Sequence, residues 1–480
     1  MKKLKDLLVG VADTDVDVDV TGISVRAQKT EPGNLFVCLK GSEYDGHDFA
    51  LNAQMLGAVA VVSEHKTECS LPEIIVPDAR RAYAIISKNY FDNASDKLKI
   101  VAVTGTNGKT STVEILSKML EEAGVTVGTI GTLGARYAGK TVKTDMTTPD
   151  PYDMHRLFAK MQKAGVETVV MEVSAHAICL EKMSGVVSDV AIFTNVTPDH
   201  LDYFKDMKTY ADVKKSYFSK KTTKFAVLNA DDVTGRELIE EADVPAVSYG
   251  LENPSDVFAI NVEHTDEGTS FVVNLFDDVF RVKTHLHGLH NVRNVLAAMT
   301  AAKVLGVKKE CMLAALDKLE SISGRFEIVV SGGAKIVVDF AHTPDGLKNL
   351  LESARELCTG RLWAIFGCGG ARARTKRPVM GQIASELADR IVLTSDNPRS
   401  EQPPKIIEEI LAGADPKKCV MTTDRRAAID FVLENLAPGD VAVFAGKGAE
   451  NYMEIAGVKH PYNDMKEILQ KIRSKTCYEA

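Results

Sequence analysis

A lysine and a threonine that close a glycine-rich turn make a phosphate-binding arrangement, and residues 105–110 read GTNGKT. In the run IVAVTGTNGKTST (100–112) the turn lies between an apolar strand and a helix. Backbone N–H groups and the helix N-terminus can cradle phosphate oxygens there. Lys109 is placed to reach the terminal phosphates of a nucleoside triphosphate, and the Thr110 hydroxyl to ligate Mg2+. A strict P-loop has glycine where this chain has Val103, and the bland alternative is an ordinary strand-turn-helix junction.

Phosphate-bound Mg2+ takes one or two protein carboxylates besides substrate oxygens. Glu172, ending the strand TVVMEVS, suits that part, although a strand-end Glu is commonly a solvated surface group. His200 and Asp202 follow the strand DVAIFTNV; a lone His there is more often structural than a ligand. Lys214 falls in an expected helix, Tyr210 to Phe218, among other lysines, which favours a solvated face. Further on, Arg372, Arg374, Lys376 and Arg377 crowd the turn after FGCGG, and cations there suit a carboxylate or phosphate. DNPR (396–399) offers an anion, an amide and a cation stiffened by Pro398, a mixture fitting a zwitterion such as an amino acid. Its alternative is a polar loop with an internal Asp-Arg pair.

Alternating short apolar strands and amphipathic helices must hold these groups, the pattern of α/β layers with mainly parallel sheets. Three blocks separate. The first, 1–97, has strands at LFVCLKG (35–41) and AVAVVSE (58–64) with a helix between, and a polar linker at 92–97. The second, 98–325, is a P-loop-type mononucleotide-binding unit with strands at 168–174, 189–196 and 224–230, a helix with Val113, Leu116 and Leu120 on one face, and an antiparallel section at 256–285. The third, 326–480, places strands at 335–341, 362–368, 390–396 and 441–446 with helices at 403–412 and 424–435, a Rossmann-like doubly wound pattern whose ligands sit beyond the strand carboxyl ends.

The 480 residues, at roughly 100–200 per domain, allow two to four domains, and 45% apolar residues exclude disordered and fibrous classes. A net charge of −8 disfavours nucleic acid as a partner. Eight cysteines without a CxxC pair read as free thiols in a reducing compartment. No run approaches the roughly 20 apolar residues that span a bilayer, so the expectation is a cytoplasmic, soluble monomer without membrane insertion.

In order along the chain, GTNGKTS, MEVSAHA, TNVTPDHLDYF, HGLHNVRN, SGRFE, VDFAHTPDGL, FGCGG, KRP and AGKG resemble the motifs of the Mur ligase family over nearly the whole length. That family is cytoplasmic and ATP-dependent and adds amino acids to the peptidoglycan precursor. TTPD (147–150) and DNPR are similar to the branch that adds meso-diaminopimelate to UDP-N-acetylmuramoyl-L-alanyl-D-glutamate through an acyl phosphate. The resemblance implies ATP contacts from Gly105, Thr106, Asn107, Gly108, Lys109, Thr110, Ser111, Asn291, Asn294, Arg325 and Asp339. It implies Mg2+ held by Thr110, Glu172, His200 and Lys214, the last carrying a CO2-derived carbamate, with Lys109, Glu172, His200 and Lys214 catalytic. UDP-muramyl-dipeptide contacts fall at Ala27, Thr147, Thr148, Ser174 and Lys182, the uridine end in block one. Diaminopimelate contacts fall at Arg372, Asp396, Asn397, Pro398, Arg399, Gly446 and Glu450.

The chain departs from the family pattern at Arg26-Ala27-Gln28 (for DSR), Ala175, Lys182, Ala371, Ala373 and Ala449. Alternatives are therefore L-lysine or another diamine as substrate, a related ligase acting on a polyglutamate- or cyanophycin-type carboxylate, and a non-catalytic nucleotide-binding paralogue.

Overall fold

The computed structural model describes residues 1–41 and 43–479, with side chains up to residue 474; Cys477 lies beyond the described side chains. Three main sheets organise it. The first is a four-stranded parallel sheet, Gly22–Ser24, Asn34–Val37, Ala60–Ser63 and Glu73–Ile75 in chain order. Helix Ala79–Tyr90 covers it and is capped by Asp78, whose side chain accepts from the N–H groups of Arg80 and Arg81. The expected linker at 92–97 is an ordered turn: Ala94 and Ser95 are buried, and Ala94 packs with Leu98 against the next core.

The second sheet has eleven strands. Lys99–Thr104 lies at its centre between two later strands, Thr168–Glu172 and Val190–Phe193, all three parallel. Connections therefore leave the central strand in opposite directions, which opens a crevice beyond its carboxyl end. The antiparallel section read from 256–285 is Val257–Thr265, Gly268–Leu275 and Asp278–Thr284, continuing the same sheet. On the other edge, Val127–Gly131, Gly134–Tyr137 and Lys140–Val142 are not legible in the sequence, being short and interrupted by Gly. Helix Lys109–Glu122 buries Val113, Leu116 and Leu120 as its periodicity requires. The helix expected at 210–218 runs Met207–Lys215, because the Asp206 carboxylate caps the Thr209 N–H one turn earlier.

The third sheet has six strands in the order Glu327–Ser331, Ala334–Asp339, Val441–Ala445, Leu362–Phe366, Arg390–Leu393 and Cys419–Met421, parallel except for the first. Its connections bury Arg425, at the start of helix Arg425–Asn435, against Asp464 of the last helix, both wholly out of solvent. Among the described residues no helix is long and apolar enough to cross a membrane.

His155, on helix Pro151–Lys163, is fully buried with neither ring nitrogen hydrogen-bonded. Burial, aided by the charge of Lys88, pulls its pKa down to about 3. Burial likewise brings His287 and His290 to about 4. Unfolded imidazoles titrate near 6.5, so below that pH the unfolded chain binds more protons than the folded one. Stability should be greatest above about pH 6.5 and decline as pH falls towards 4, with His155 alone contributing about 2 kcal/mol of the loss by pH 5. Urea midpoints of His155→Leu at pH 7 and pH 5 should lie closer together than those of the parent; an equal spacing would contradict this.

Candidate functional site

Three strand ends meet at the crevice. The turn after Lys99–Thr104 is tight enough to demand glycine: Gly105 has φ +148°, and a Cβ there would lie 1.8 Å from Thr194 Oγ1. The loop is pinned by neighbours. Thr106 and Asn107 donate their backbone N–H to the carbonyl and side-chain oxygen of Asn195, and the Thr194 hydroxyl donates to the Asn107 carbonyl at 2.7 Å. Lys109 Nζ donates to the carbonyls of Gly105 and Thr106, both at 2.9 Å, which leaves one of its three donors for a phosphate oxygen. Burial, joined by Arg325, lowers the Lys109 pKa against the opposing charges of Glu172 and Asp199. Ser111 is buried in the first turn of the following helix.

Glu172 is 1% exposed, which overturns its reading as a solvated strand-end group. Its carboxylate accepts from the Thr110 hydroxyl at 2.9 Å, the Thr132 N–H at 2.8 Å and the Thr132 hydroxyl at 3.2 Å. The Thr132 hydroxyl also meets Thr147 Oγ1 at 3.1 Å, and Thr148 Oγ1 donates to the Glu172 carbonyl and accepts from the Ser174 N–H. Thus Thr110, Glu172, Thr147, Thr148 and Ser174 form one continuous hydroxyl-carboxylate network. Thr132, which joins it, was missed because its hairpin was unread.

Lys214 is also no surface lysine: it is fully buried, and its Nζ donates to the Gly105 carbonyl at 2.8 Å and lies 4.8 Å from the centre of the Tyr210 ring. Burial and the charge of Lys109 bring its pKa well below that of an ordinary lysine. His200 adopts φ +54° and places Nε2 3.3 Å from Asp199 Oδ2. Burial pulls its pKa to about 4 despite that carboxylate, so a neutral ring nitrogen is available at neutral pH. Asp199 Oδ2 also faces His342 Nε2 at 3.7 Å, from the third block. Burial opposes its ionisation, but His342, His200 and Lys376 hold it well below the usual carboxylate range. Among the described residues no three His, Cys, Asp or Glu side chains form a ready-made metal cage. One buried carboxylate, a hydroxyl, a neutral imidazole and a deprotonation-prone lysine instead suit Mg2+ that takes its remaining ligands from phosphate and solvent.

Besides His342, the boundary residue Arg325 and Asp345 of the third block reach this crevice. Arg325 Nη2 donates to Thr110 Oγ1 at 2.9 Å, and Asn107 Nδ2 to Asp345 Oδ2 at 3.1 Å. Asn294, bonded to Asn291, lies against Gly108, while Asp339 fixes the turn by accepting from the N–H groups of Phe326 and Ala341.

Of the four cations after FGCGG, three are engaged within the protein. Arg377 is fully buried against Glu401 and Glu409, Arg374 pairs with Glu409, and Lys376 donates to the His342 carbonyl. Arg372 is exposed and has no ion pair among the described residues. Arg399 does not pair with Asp396: its Nη1 donates to the Gly370 carbonyl at 2.8 Å and its Nε lies 3.5 Å from Glu454. Beyond Pro398, the loop places Asn397 against Glu450 (2.9 Å) and Asp396 against Gly446, so those positions converge. Lys447, buried beneath them, was not singled out from the sequence. The uridine-end position Ala27 is buried in a short turn whose neighbours Arg26 and Gln28 are exposed, and Lys182 Nζ pairs with Asp150 at 2.7 Å.

Three family models match: Mur ligase family, catalytic domain, at 19–123; Mur ligase middle domain at 103–302; and Mur ligase, glutamate ligase domain, at 324–448. A protein of Halalkalibacterium halodurans named UDP-N-acetylmuramoyl-L-alanyl-D-glutamate–2,6-diaminopimelate ligase is 39% identical over 95% of both chains. This chain belongs to the Mur ligase family. A second relative of the same name, from Bacillus cereus, is 38% identical over 93% of this chain and 92% of its own. A solved structure so named superposes with TM-score 0.71 at 31% identity, covering 99% of this chain and 100% of that one. The Mur ligase fold is shared at 20% identity with a MurF ligase from Thermotoga maritima in complex with ADP, with TM-score 0.64 over 95% of this chain and 98% of that one. Mur ligase membership accounts for the α/β, three-domain architecture.

Proposed function

We propose that the chain is an ATP-dependent ligase that joins meso-diaminopimelate to the D-glutamate carboxylate of UDP-N-acetylmuramoyl-L-alanyl-D-glutamate. The observation that carries this reading is the convergence of the Lys109 loop with Glu172 at the adjacent strand end and Lys214 on the helix beneath. The names of the relatives support the substrates. The units are assigned as 1–97 for the uridine end, 98–325 for ATP and 326–480 for the amine, working as a cytoplasmic monomer.

The substrate carboxylate oxygen attacks the terminal phosphorus of ATP, the bond to ADP breaks, and an acyl phosphate forms. The unprotonated amine then attacks the acyl carbon, expelling phosphate and losing a proton as the amide forms. Lys109, the loop N–H groups and Arg325 stabilise charge on the transferred group, and the Thr132–Thr147–Thr148–Ser174 network orients the muramyl end. Mg2+, when bound, would bring carboxylate and phosphate together, held by Thr110, Glu172, His200 and carbamylated Lys214. The carbamate arises when the unprotonated Lys214 nitrogen attacks CO2 and releases a proton, giving an anion where a neutral amine stood.

A second reading, with L-lysine or another diamine as the amine, draws on the partial neutralisation of Arg399 by Glu454. Incubation with the nucleotide dipeptide, ATP, Mg2+ and each diamine separates the two. Tripeptide and ADP should form with meso-diaminopimelate; product with lysine alone would move the assignment to the second reading, and no amine-dependent ADP would sink both.

A further inference from the structure

We propose that Lys447 is a positioning residue that sets the polarity of the amine pocket, holding Asn397 as a hydrogen-bond donor and Glu450 as an acceptor for the zwitterionic end of a diamino acid. This rests on the assignment of that pocket to the amine substrate.

The Lys447 side chain is fully buried and cannot touch a ligand itself. Its three N–H groups are all used: Asn397 Oδ1 at 2.9 Å, Glu450 Oε2 at 2.7 Å and the Tyr452 carbonyl at 2.6 Å. An arginine fork lies in one plane and could not serve three acceptors disposed around one nitrogen. The consequence falls on Asn397. A primary amide has oxygen and nitrogen ends of nearly equal size, so in an open pocket it can present either. Here Oδ1 accepts from Lys447 and also from the Glu454 N–H at 2.9 Å, which fills both lone pairs. Nδ2 meanwhile donates to Glu450 Oε2 at 2.9 Å. Turning the amide over would set its NH2 against two donors and its oxygen against a carboxylate.

The remaining Asn397 N–H is thus the only character that side chain can show a substrate. Glu450 Oε2 is satisfied by Lys447 and Asn397, while Oε1 has the long 3.4 Å contact from the Tyr452 hydroxyl and keeps lone pairs for an ammonium. Arg372, with no ion pair among the described residues, and Arg399 both lie against Gly369, next to the Gly370 N–H that bonds the Asn397 carbonyl, and so can add donors for a carboxylate. Without Lys447, Asn397 loses the bond that orients it and Glu450 loses its countercharge.

The test uses the full-length enzyme with nucleotide dipeptide, ATP and meso-diaminopimelate. Lys447→Met keeps the volume and should raise KM for diaminopimelate by on the order of 10- to 100-fold, the scale of a lost charged hydrogen bond, with KM for ATP held within about two-fold. Its preference for diaminopimelate over L-lysine should shrink. Asn397→Asp, which retains Lys447 but turns the pocket-facing donor into an acceptor, should raise KM for diaminopimelate to a similar degree and serves if Lys447→Met folds poorly. A fall in kcat with unchanged KM for the amine in both variants would overturn the proposal and leave Lys447 a packing residue. Failure of the unsubstituted enzyme to use any diamine would overturn the pocket assignment itself, and the proposal with it.

Discussion

Lys214→Ala should lower turnover by on the order of 10²- to 10³-fold, the scale of removing one preorganised electrostatic group from an active site, and short carboxylates such as acetate should restore part of it. The side chain is fully buried beside the Gly105 carbonyl and the Lys109 ammonium, so truncation leaves an anion-sized space next to the phosphate loop. If the role is that of a carbamate, a small carboxylate diffusing into the space reproduces the charge, whereas chloride at equal ionic strength does not. If the role is that of an ammonium, methylamine rescues and acetate does not. Full activity of the variant would dispose of both. Because desolvation and Lys109 both favour the unprotonated nitrogen, the parent enzyme should also respond to added bicarbonate after CO2 is stripped.

Arg425→Leu is expected to destabilise the protein by about 3–5 kcal/mol, read from urea denaturation, since it strands a buried carboxylate. Arg425 clasps Asp464 with two bonds, Nε to Oδ1 at 2.8 Å and Nη2 to Oδ2 at 2.7 Å, and donates to the carbonyls of Ser395 and Ala445. Those carbonyls immediately precede Asp396 and Gly446, so the same guanidinium ties two strand ends of the proposed amine pocket to the last helix. Removing both charges, Arg425→Leu with Asp464→Leu, should recover most of the loss, because the isolated charge and not the missing attraction dominates the cost. A double variant as unstable as the single one would show that the carbonyl contacts matter more.

The strand-turn-helix around Gly105 and the strand ends carrying Glu172, Asp339 and Asp396 were readable because periodicity and turn residues are local signals. Burial of polar side chains is not local. Lys214 looked like one of several lysines on a wet helix, and only the packing of Met207–Lys215 beneath the phosphate loop takes it out of water. The solvated alternative for Glu172 fails for the same reason. The cationic cluster fails in the opposite direction: four charges look available, yet Glu401 and Glu409, 24 to 35 residues away in sequence, engage Arg377 and Arg374. Thr132 is hidden because it sits in a hairpin too short to register as strands, and Lys447 because only the fold gathers Asn397, Glu450 and Tyr452 around it.

Thr110 and Asn107 belong to the phosphate loop, yet Thr110 is held by Arg325 at the boundary between blocks and Asn107 by Asp345 of the third block. A nucleotide that shifts either side chain must therefore change the free energy of docking that block, which carries the amine pocket. Linkage is reciprocal. Whatever factor ATP contributes to the affinity for the amine, the amine must return to the affinity for ATP. In such a molecule coupling between the two sites can travel through these contacts, with no need for a dedicated regulatory site.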